Sequence, residues 1–301
     1  MARILSRVAP WFPSAKSRRT PGEPLTESIR VLADADTPAL RALIARDPVS
    51  NIFMDAQLDA IGGAGPASSG SFVLGRFDGG LLISACWVGA NLVPIQMTGE
   101  DAAEFARVLV PMGRHYASIF GPSAAVLGLW QGLGEGTQRA FDVREHQPLM
   151  VLDAAPQVAP NKALRISHEG EFELLLPACA AMFEEELGYS PLAAGGSYYR
   201  SRVRSLMRQG HSMVDIRDGE IRFKAELGTV SARATQIQGV WMNPKYRGQG
   251  SAAAYMSAVA GYALSLAPVT SLYVNDYNAP ALATYKKVGF EVVGEFATVL
   301  F

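Results

Sequence analysis

One arginine and two glycines stand together in a segment whose residue types suit the binding of a phosphate. Residues 238–252 read QGVWMNPKYRGQGSA, and Arg247, Gly248 and Gly250 lie between a predicted strand and an alanine-rich predicted helix. Glycine lets the backbone turn its N–H groups toward a ligand without a side chain in the way. A helix start adds about four unpaired N–H groups and roughly half a positive charge. The segment therefore predicts a seat for phosphate or pyrophosphate, with an ordinary glycine-rich turn as the alternative.

Two common nucleotide-binding patterns do not fit this segment. No Lys-Ser or Lys-Thr pair follows the last glycine, which disfavours a nucleoside triphosphatase. The three-glycine dinucleotide pattern and its later acidic residue are missing as well.

A second segment, residues 272–290, reads LYVNDYNAPALATYKKVGF. It predicts a strand, a loop with Asn278, a helix with Tyr285, and a closing Gly289-Phe290 pair. A helical tyrosine is often only a packing residue, and Gly-Phe is a common helix end. The two segments in this order resemble the GNAT acetyltransferase superfamily, whose loop pattern [QR]-x-x-G-x-[GA] falls here on Arg247, Gly250 and Ala252. The resemblance covers residues 163–301.

The resemblance implies acetyl-coenzyme A as co-substrate and assigns roles to particular residues. The phenol of Tyr285 would protonate the departing thiolate, because an ordinary phenol with a pKa of about 10 stays protonated at neutral pH. The side chain of Asn278 would bind the coenzyme arm. The other expected coenzyme-binding residues, on the strand and the loop after it, are Val240, Trp241, Met242, Arg247, Gly248, Gln249, Gly250, Ser251, Ala252 and Ala253.

The acceptor side is less defined by the sequence. Glu226, on the preceding strand, is the expected general base, and an ion pair with Lys224 or Arg233 is the other interpretation. The acidic run Glu184, Glu185 and Glu186, with Tyr189 after it, would border the acceptor and attract a cationic amine. A solvated acidic face is the alternative for that run.

The first half is predicted to repeat the order of helices and strands of the second half, but without the phosphate seat. At the corresponding position it reads QMTGEDA, residues 96–102. The arginine and the pair of loop glycines are missing, and two carboxylates at the helix start would repel a phosphate. We therefore expect a degenerate GNAT-like N-terminal domain, as in bacterial two-part proteins that the chain resembles.

Composition excludes several other classes of protein. With 301 residues, 49% of them hydrophobic and a formal net charge of -1, the chain suits a folded protein of one or two domains without a general nucleic-acid surface. Its two cysteines, Cys86 and Cys179, and four histidines form no metal-binding pattern. The sequence contains no membrane span, and reduced thiols favour the cytoplasm.

These observations predict an α/β protein of tandem GNAT-like units, each a mixed, mostly antiparallel twisted sheet flanked by helices. The expected domains are a flexible basic leader at 1–28, the degenerate domain at 29–154 and the catalytic domain at 163–301, joined through a proline-containing connection at 155–162. The expected function is transfer of an acetyl group to an amine of a small molecule or protein. A coenzyme-A-thioester sensor without turnover and an interaction module with a relic site are the rivals. The oligomeric state stays open.

Overall fold

The computed structural model describes residues 19–134 and 138–301. Most of the predicted leader, residues 1–18, lies outside the described residues. The remaining residues of that predicted segment are bonded to one another and to β1 (Ile29–Val31). The Gly22 N–H donates to the Val31 carbonyl at 3.1 Å, and Arg19 pairs with Glu23 at 2.9 Å. Residues 19–28, which the sequence assigns to a flexible leader, are therefore held to β1 and to one another by hydrogen bonds.

The chain forms two compact units. The second unit runs from Met150 to Val293, and the first unit contains the chain before it together with Gly294–Phe301. The sequence placed the boundary at 155–162 and the C-terminus in the second unit. The division instead falls inside a strand, and the last eight residues belong to the first unit. The hydrophobic run at the C-terminus did not reveal which sheet it joins.

After β1, which the sequence does not predict, the helices and strands of the first unit follow the predicted order. In chain order they are β1, α1 (Thr37–Ile44), α2 (Ile52–Ile61), β2 (Phe72–Asp78), β3 (Leu81–Val88), β4 (Asn91–Ile95), α3 (Gly99–Leu109), β5 (Ser118–Pro122), α4 (Ser123–Leu133) and β6 (Asp142–Leu152), whose last three residues lie in the second unit. The sequence predicts a second helix that opens at Pro48, but α2 begins at Ile52, because residues 48–51 form turns before it. The sequence also predicts the last strand of this half from Pro148, whereas β6 begins at Asp142.

The second unit contains the elements that carry the predicted chemistry. They are β7 (Arg165–Ile166), α5 (Phe172–Leu187), α6 (Ser197–Arg208), β8 (Ser212–Arg217), β9 (Glu220–Val230), β10 (Thr235–Met242), α7 (Ala252–Leu264), β11 (Thr270–Tyr273), α8 (Ala279–Val288) and β12 (Glu291–Leu300), which continues into the first unit. The sequence predicts helices at 172–187 and 279–288, and the bounds of α5 and α8 confirm this. Strand β7 is not predicted, and the bounds of the other predicted helices and strands of this unit differ from the observed ones by one to three residues.

Each unit contains a mixed sheet. In the first unit the order is β1-β2-β3-β4-β5-β12, in which β4 and β5 are parallel and the other pairs antiparallel. In the second unit the order is β11-β10-β9-β8-β7, and only β10 and β11 are parallel. The predicted class of tandem, mostly antiparallel units is confirmed.

Alternation along β9 divides the core of the second unit into two layers. Phe223, Ala225 and Leu227 pack in the cluster that includes α7. Lys224 and Glu226 point to the opposite face, because successive strand residues face opposite sides. That face is covered by α5, whose Cys179 contacts Lys224. Two polar residues of β9 thus lie beneath the helix that ends in the acidic run.

No helix in the described ranges is long and apolar enough to cross a membrane. Among the same residues, no group of three or more histidine, cysteine, aspartate or glutamate side chains is placed to hold a metal ion.

Candidate active site

Strand β10 is interrupted by a bulge opposite β9. Gln238 faces Glu226 and Trp241 faces Lys224, so that Gly239 and Val240 together stand opposite the one residue between those partners. Gly239 has φ of 59°. A Cβ atom there would lie 2.9 Å from the Glu226 carboxylate, so both the conformation and the space require glycine. The bulge turns the backbone of these two residues out of the regular ladder.

Beyond its first two residues, β10 has one edge without a neighbouring strand. It pairs with β11 at Thr235 and Gln236, and β11 ends at Tyr273 while β10 continues to Met242. The neighbours of β10 in the sheet are β9 and β11. An open strand edge can bind an extended ligand through main-chain hydrogen bonds. The Trp241 side chain is 9% exposed and packs with the α5 cluster, so its predicted contribution is limited to the backbone.

The predicted phosphate seat comes directly after β10. Asn243 begins a single helical turn, with its Oδ1 accepting from the Lys245 N–H at 3.1 Å. Gly248 and Gly250 have φ of 72° and 75°, and a Cβ added at either would meet no atom within 4 Å. Helix α7 then starts after Ser251, whose side chain does not cap it. The loop is therefore open in front of a helix start whose first N–H groups suit an anion.

The other predicted members of the loop are also placed. Ser251, Ala252 and Ala253 form the start of α7, and Ala253 is turned into the core. Gln249 is exposed, and its Nε2 donates to the Lys245 carbonyl at 3.2 Å. Its side chain therefore closes the loop on itself.

Arg247 is held by three acceptor contacts. Its Nε donates to the Met242 carbonyl at 2.8 Å, and its Nη2 lies 2.8 and 3.0 Å from the two oxygens of Glu185. Glu185 also accepts from the Trp241 indole N–H at 3.1 Å. A carboxylate that the sequence assigned to the acceptor thus binds the coenzyme loop and the end of β10.

Tyr285 lies on α8 in the same apolar cluster as Val240 and Met242. Its side chain is 7% exposed, with its ring centroid 6.0 Å from that of Phe290. Burial, and then the negative charge of Glu186, raise the pKa of Tyr285 above its ordinary value. The phenol is therefore a proton donor at neutral pH, and the end of α5 reaches it electrostatically.

Asn278 caps α8. Its Oδ1 accepts from the Ala281 N–H at 3.2 Å, and its backbone N–H donates to the Asn275 carbonyl at 2.9 Å. The exposed side chain keeps its Nδ2 without a protein partner among the described residues. Only that amide nitrogen is placed to donate to a ligand.

Glu226 is not placed as a general base, and this corrects the sequence expectation. It is 5% exposed and forms an ion pair with Lys224, which is fully buried. Burial alone would raise the pKa of Glu226, but the Lys224 ammonium beside it holds that pKa below its ordinary value. A buried carboxylate that is already paired has little tendency to take a proton from an amine. The interpretation as an ion pair with Lys224 is confirmed.

The remaining acceptor-side residues differ in their surroundings. Glu184 and Glu186 are exposed on the last turn of α5. Tyr189 is half-buried, stacks edge-to-face on Phe183 with ring centroids 5.3 Å apart, and has its pKa raised by burial. The structure therefore splits the predicted acidic cluster, because Glu185 between them binds Arg247.

The corresponding helix start in the first unit is already satisfied. Thr98 and Asp101 form reciprocal hydrogen bonds, with the Asp101 N–H donating to Thr98 Oγ1 at 3.2 Å and the Thr98 N–H donating to Asp101 Oδ2 at 3.0 Å. Such a capping box occupies the N–H groups that a phosphate would need and adds negative charge. The geometry of α3 therefore does not suit a coenzyme phosphate.

Comparison with known proteins identifies a family model for one part of the chain. Residues 195–290 match the "Acetyltransferase (GNAT) family". The second unit contains a GNAT domain. This range includes the bulge, the loop from Arg247 to Ala253 and the helix with Tyr285, and the match indicates an acyltransferase that uses acetyl-CoA. Residues 71–175 match "Domain of unknown function (DUF4081)". No curated protein sequence matches the chain.

Solved structures share the fold over most of the chain. A Drosophila protein has a TM-score of 0.61 at 14% identity, covering 92% of this chain and 99% of its own. A GCN5-related N-acetyltransferase from Sphaerobacter thermophilus has a TM-score of 0.56 at 18% identity, covering 92% and 96%. A tandem GNAT protein from the clavulanic acid biosynthesis pathway has a TM-score of 0.51 at 15% identity, covering 90% and 97%. The likeness to these structures is one of fold.

Proposed function

We propose that the protein transfers an acetyl group from acetyl-coenzyme A to an amine of a small molecule or a protein. One observation carries this proposal: Tyr285 lies in the same apolar cluster as Val240 and Met242, which belong to the strand edge that leads into the open glycine loop. A place for an extended arm, a place for a pyrophosphate and a proton donor thus adjoin one strand.

Different residues bind different parts of the coenzyme. The backbone of Val240, Trp241 and Met242 binds the pantetheine arm as an added strand, and the N–H groups of residues 248–253 bind the pyrophosphate. Asn278 donates from its Nδ2 to the same arm. The coenzyme supplies an acetyl thioester, which an amine attacks directly. A backbone N–H of the bulge at Gly239 and Val240 donates to the thioester oxygen as negative charge develops there.

Tyr285 gives its proton to the departing sulfur. Its raised pKa keeps the phenol protonated at neutral pH, which is the state that a general acid needs. The amine must also lose a proton. Because Glu226 is buried and paired, we assign this proton to Glu186, an exposed carboxylate whose charge acts on Tyr285.

Purified protein, acetyl-coenzyme A and a broad panel of amines test the proposal, with release of free thiol and the mass of the product as readouts. At least one amine should be acetylated, and turnover should vanish in Gly250→Asp, which places a carboxylate in the pyrophosphate seat. Tight coenzyme binding without turnover on any amine would instead identify a sensor.

A further inference from the structure

The Glu185 carboxylate joins three parts of the second unit. It lies on the last turn of α5, 2.8 Å from Arg247 Nη2 in the loop and 3.1 Å from Trp241 Nε1 at the end of β10. In sequence it is 62 residues from Arg247 and 56 from Trp241. Its two oxygens therefore hold a helix, a strand and a loop in one arrangement.

This contact fixes the direction of the Arg247 guanidinium. Nε is used by the Met242 carbonyl and Nη2 by Glu185, and among the described residues Nη1 has no acceptor. A free arginine side chain loses rotamer entropy when a ligand immobilises it, and this loss weakens binding. Here the protein has already immobilised the side chain, with one donor nitrogen left over.

The pairing also neutralises part of the arginine charge, which would weaken attraction to an anion. Both side chains are 45% exposed, and an ion pair in such a setting is strongly screened by solvent. We therefore expect the gain from fixed geometry to exceed the loss of long-range attraction. The hydrogen bond from Trp241 also favours a fixed loop, because it anchors the end of β10, from which the loop departs.

We propose that Glu185 is a positioning residue for coenzyme binding, acting through Arg247 and Trp241, and not a residue that attracts the acceptor. The inference rests on the proposed function in one respect, namely that the coenzyme pyrophosphate sits on the loop after Arg247. It separates Glu185 from its neighbours in the acidic run, since a residue that draws the acceptor would change acceptor affinity alone.

The test compares Glu185→Ala, the nearly isosteric Glu185→Gln, and the control Glu173→Ala, with calorimetric titration of coenzyme A as the main readout. Glu173 lies on the same helix with an 80% exposed side chain and a single long ion pair of 3.8 Å. We expect Glu185→Ala to raise the Kd for coenzyme A about fivefold or more, because two hydrogen-bonded contacts are lost. Glu185→Gln should fall between Glu185→Ala and the unmodified protein, and Glu173→Ala should bind normally. With coenzyme at saturation, the acceptor KM should stay within twofold in all three.

A double variant shows whether the effect passes through the arginine. If it does, adding Glu185→Ala to Arg247→Ala should weaken coenzyme binding by less than Glu185→Ala does alone. Unchanged or tighter coenzyme binding in both Glu185 variants, or a rise confined to the acceptor KM, would overturn the inference while leaving the proposed function intact. Failure of the unmodified protein to bind coenzyme A would remove the proposed function itself.

Discussion

Lys224 and Glu226 stand two residues apart on β9 and form an ion pair in the interior of the second unit. Lys224 is fully buried and also donates to Cys179 Sγ at 3.4 Å, and the Gln238 amide reaches the second oxygen of Glu226 at 3.5 Å. The same carboxylate lies against the bulge glycine, Gly239. The pair therefore supports the shape of β10 from the side that faces α5, and its role there is structural.

Removing one member of this pair should destabilise the second unit. Either Glu226→Gln or Lys224→Met leaves a buried charge without its partner, and such changes typically cost about 3–5 kcal/mol. Urea unfolding measures the loss. The exposed pair of Glu169 and Arg208 is the control, since Glu169→Gln should cost no more than about 1 kcal/mol. If both Glu226→Gln and Lys224→Met lower the free energy of unfolding by no more than about 1 kcal/mol, the interior pair is well solvated.

The buried pair should also shape the dependence of stability on pH. The pKa of Glu226 is lowered, so its contribution is present above the carboxyl's unfolded pKa of about 4.3 and is lost as pH falls through the folded value. Burial opposes the charge on Lys224, but Cys179 and Glu226 raise its pKa, so its contribution is lost only in strong alkali. The stability difference between the unmodified protein and Glu226→Gln should be constant from about pH 5 to 9 and shrink below it. A difference that persists unchanged to pH 2 would contradict the shift.

Gly250→Asp should abolish coenzyme binding at a single site per chain. The open space at Gly250 admits a side chain, but a carboxylate there would face the pyrophosphate. Gly250→Asn is the matched control, because asparagine has the same shape, tolerates the positive φ and lacks the charge. Calorimetry should give one site in the unmodified protein, weak or no binding in the aspartate variant and intermediate binding in the asparagine variant. Two sites per chain would show that the first unit binds the coenzyme as well.

Changing Glu184 and Glu186 together to glutamine should weaken binding of a cationic acceptor. Each exposed charge contributes about 0.2–1 kcal/mol, so the loss of two charges should raise the acceptor KM roughly twofold to thirtyfold. Coenzyme affinity should not change, because Glu185 is retained, and kcat should fall as well, because Glu186 is the proposed acceptor of the amine proton. The rise should diminish with added salt, since charges are screened over about 8 Å at physiological ionic strength. An unaltered KM would indicate a merely solvated acidic face.

Tyr285→Phe removes the proton donor and keeps the ring in its apolar cluster. Coenzyme affinity should change little, and the chemical step should slow by about 10²–10⁴-fold, the usual contribution of a positioned acid. The loss should appear equally in kcat and kcat/KM, as expected for an interaction made in the transition state. If the variant turns over as fast as the unmodified protein, Tyr285 is a packing residue and the thiolate leaves without assistance.

Local patterns in the sequence predicted most of the elements. The sequence predicts a strand at 81–88 and helices at 123–133, 172–187 and 279–288, and the structure has these bounds. Turn residues or helix-ending glycines, together with regular apolar spacing, mark these elements in the sequence. The start of α2 was placed too early, since a proline suits the first helical position without requiring a helix there. The loop after Arg247 was located from its glycines and the helix behind them.

Long-range pairings could not be read from the sequence in the same way. Glu185 and Arg247 meet only when α5 is laid across β10, and nothing in the local run of three glutamates distinguishes the middle one. The sequence indicates Lys224 as a possible partner of Glu226. It does not reveal that Lys224 is fully buried, because that burial depends on the packing of α5 over β9. The alternation of apolar and charged residues along β9 indicates that Lys224 and Glu226 share one face of the strand, because it turns both away from the face that carries Phe223.

The late position of β12 in the sequence has a consequence for synthesis of the protein on the ribosome. Residues Phe296 to Leu300 pair with Pro122 to Ser118 of β5, yet they are translated after the whole of Met150–Val293. Translation proceeds at about 5–20 residues per second, so this segment takes roughly 7–30 s to synthesise. During that time β5 of the nascent first unit lacks the strand β12 that pairs with it. An open strand edge invites association with other chains, so this interval is when a chaperone would protect the growing polypeptide.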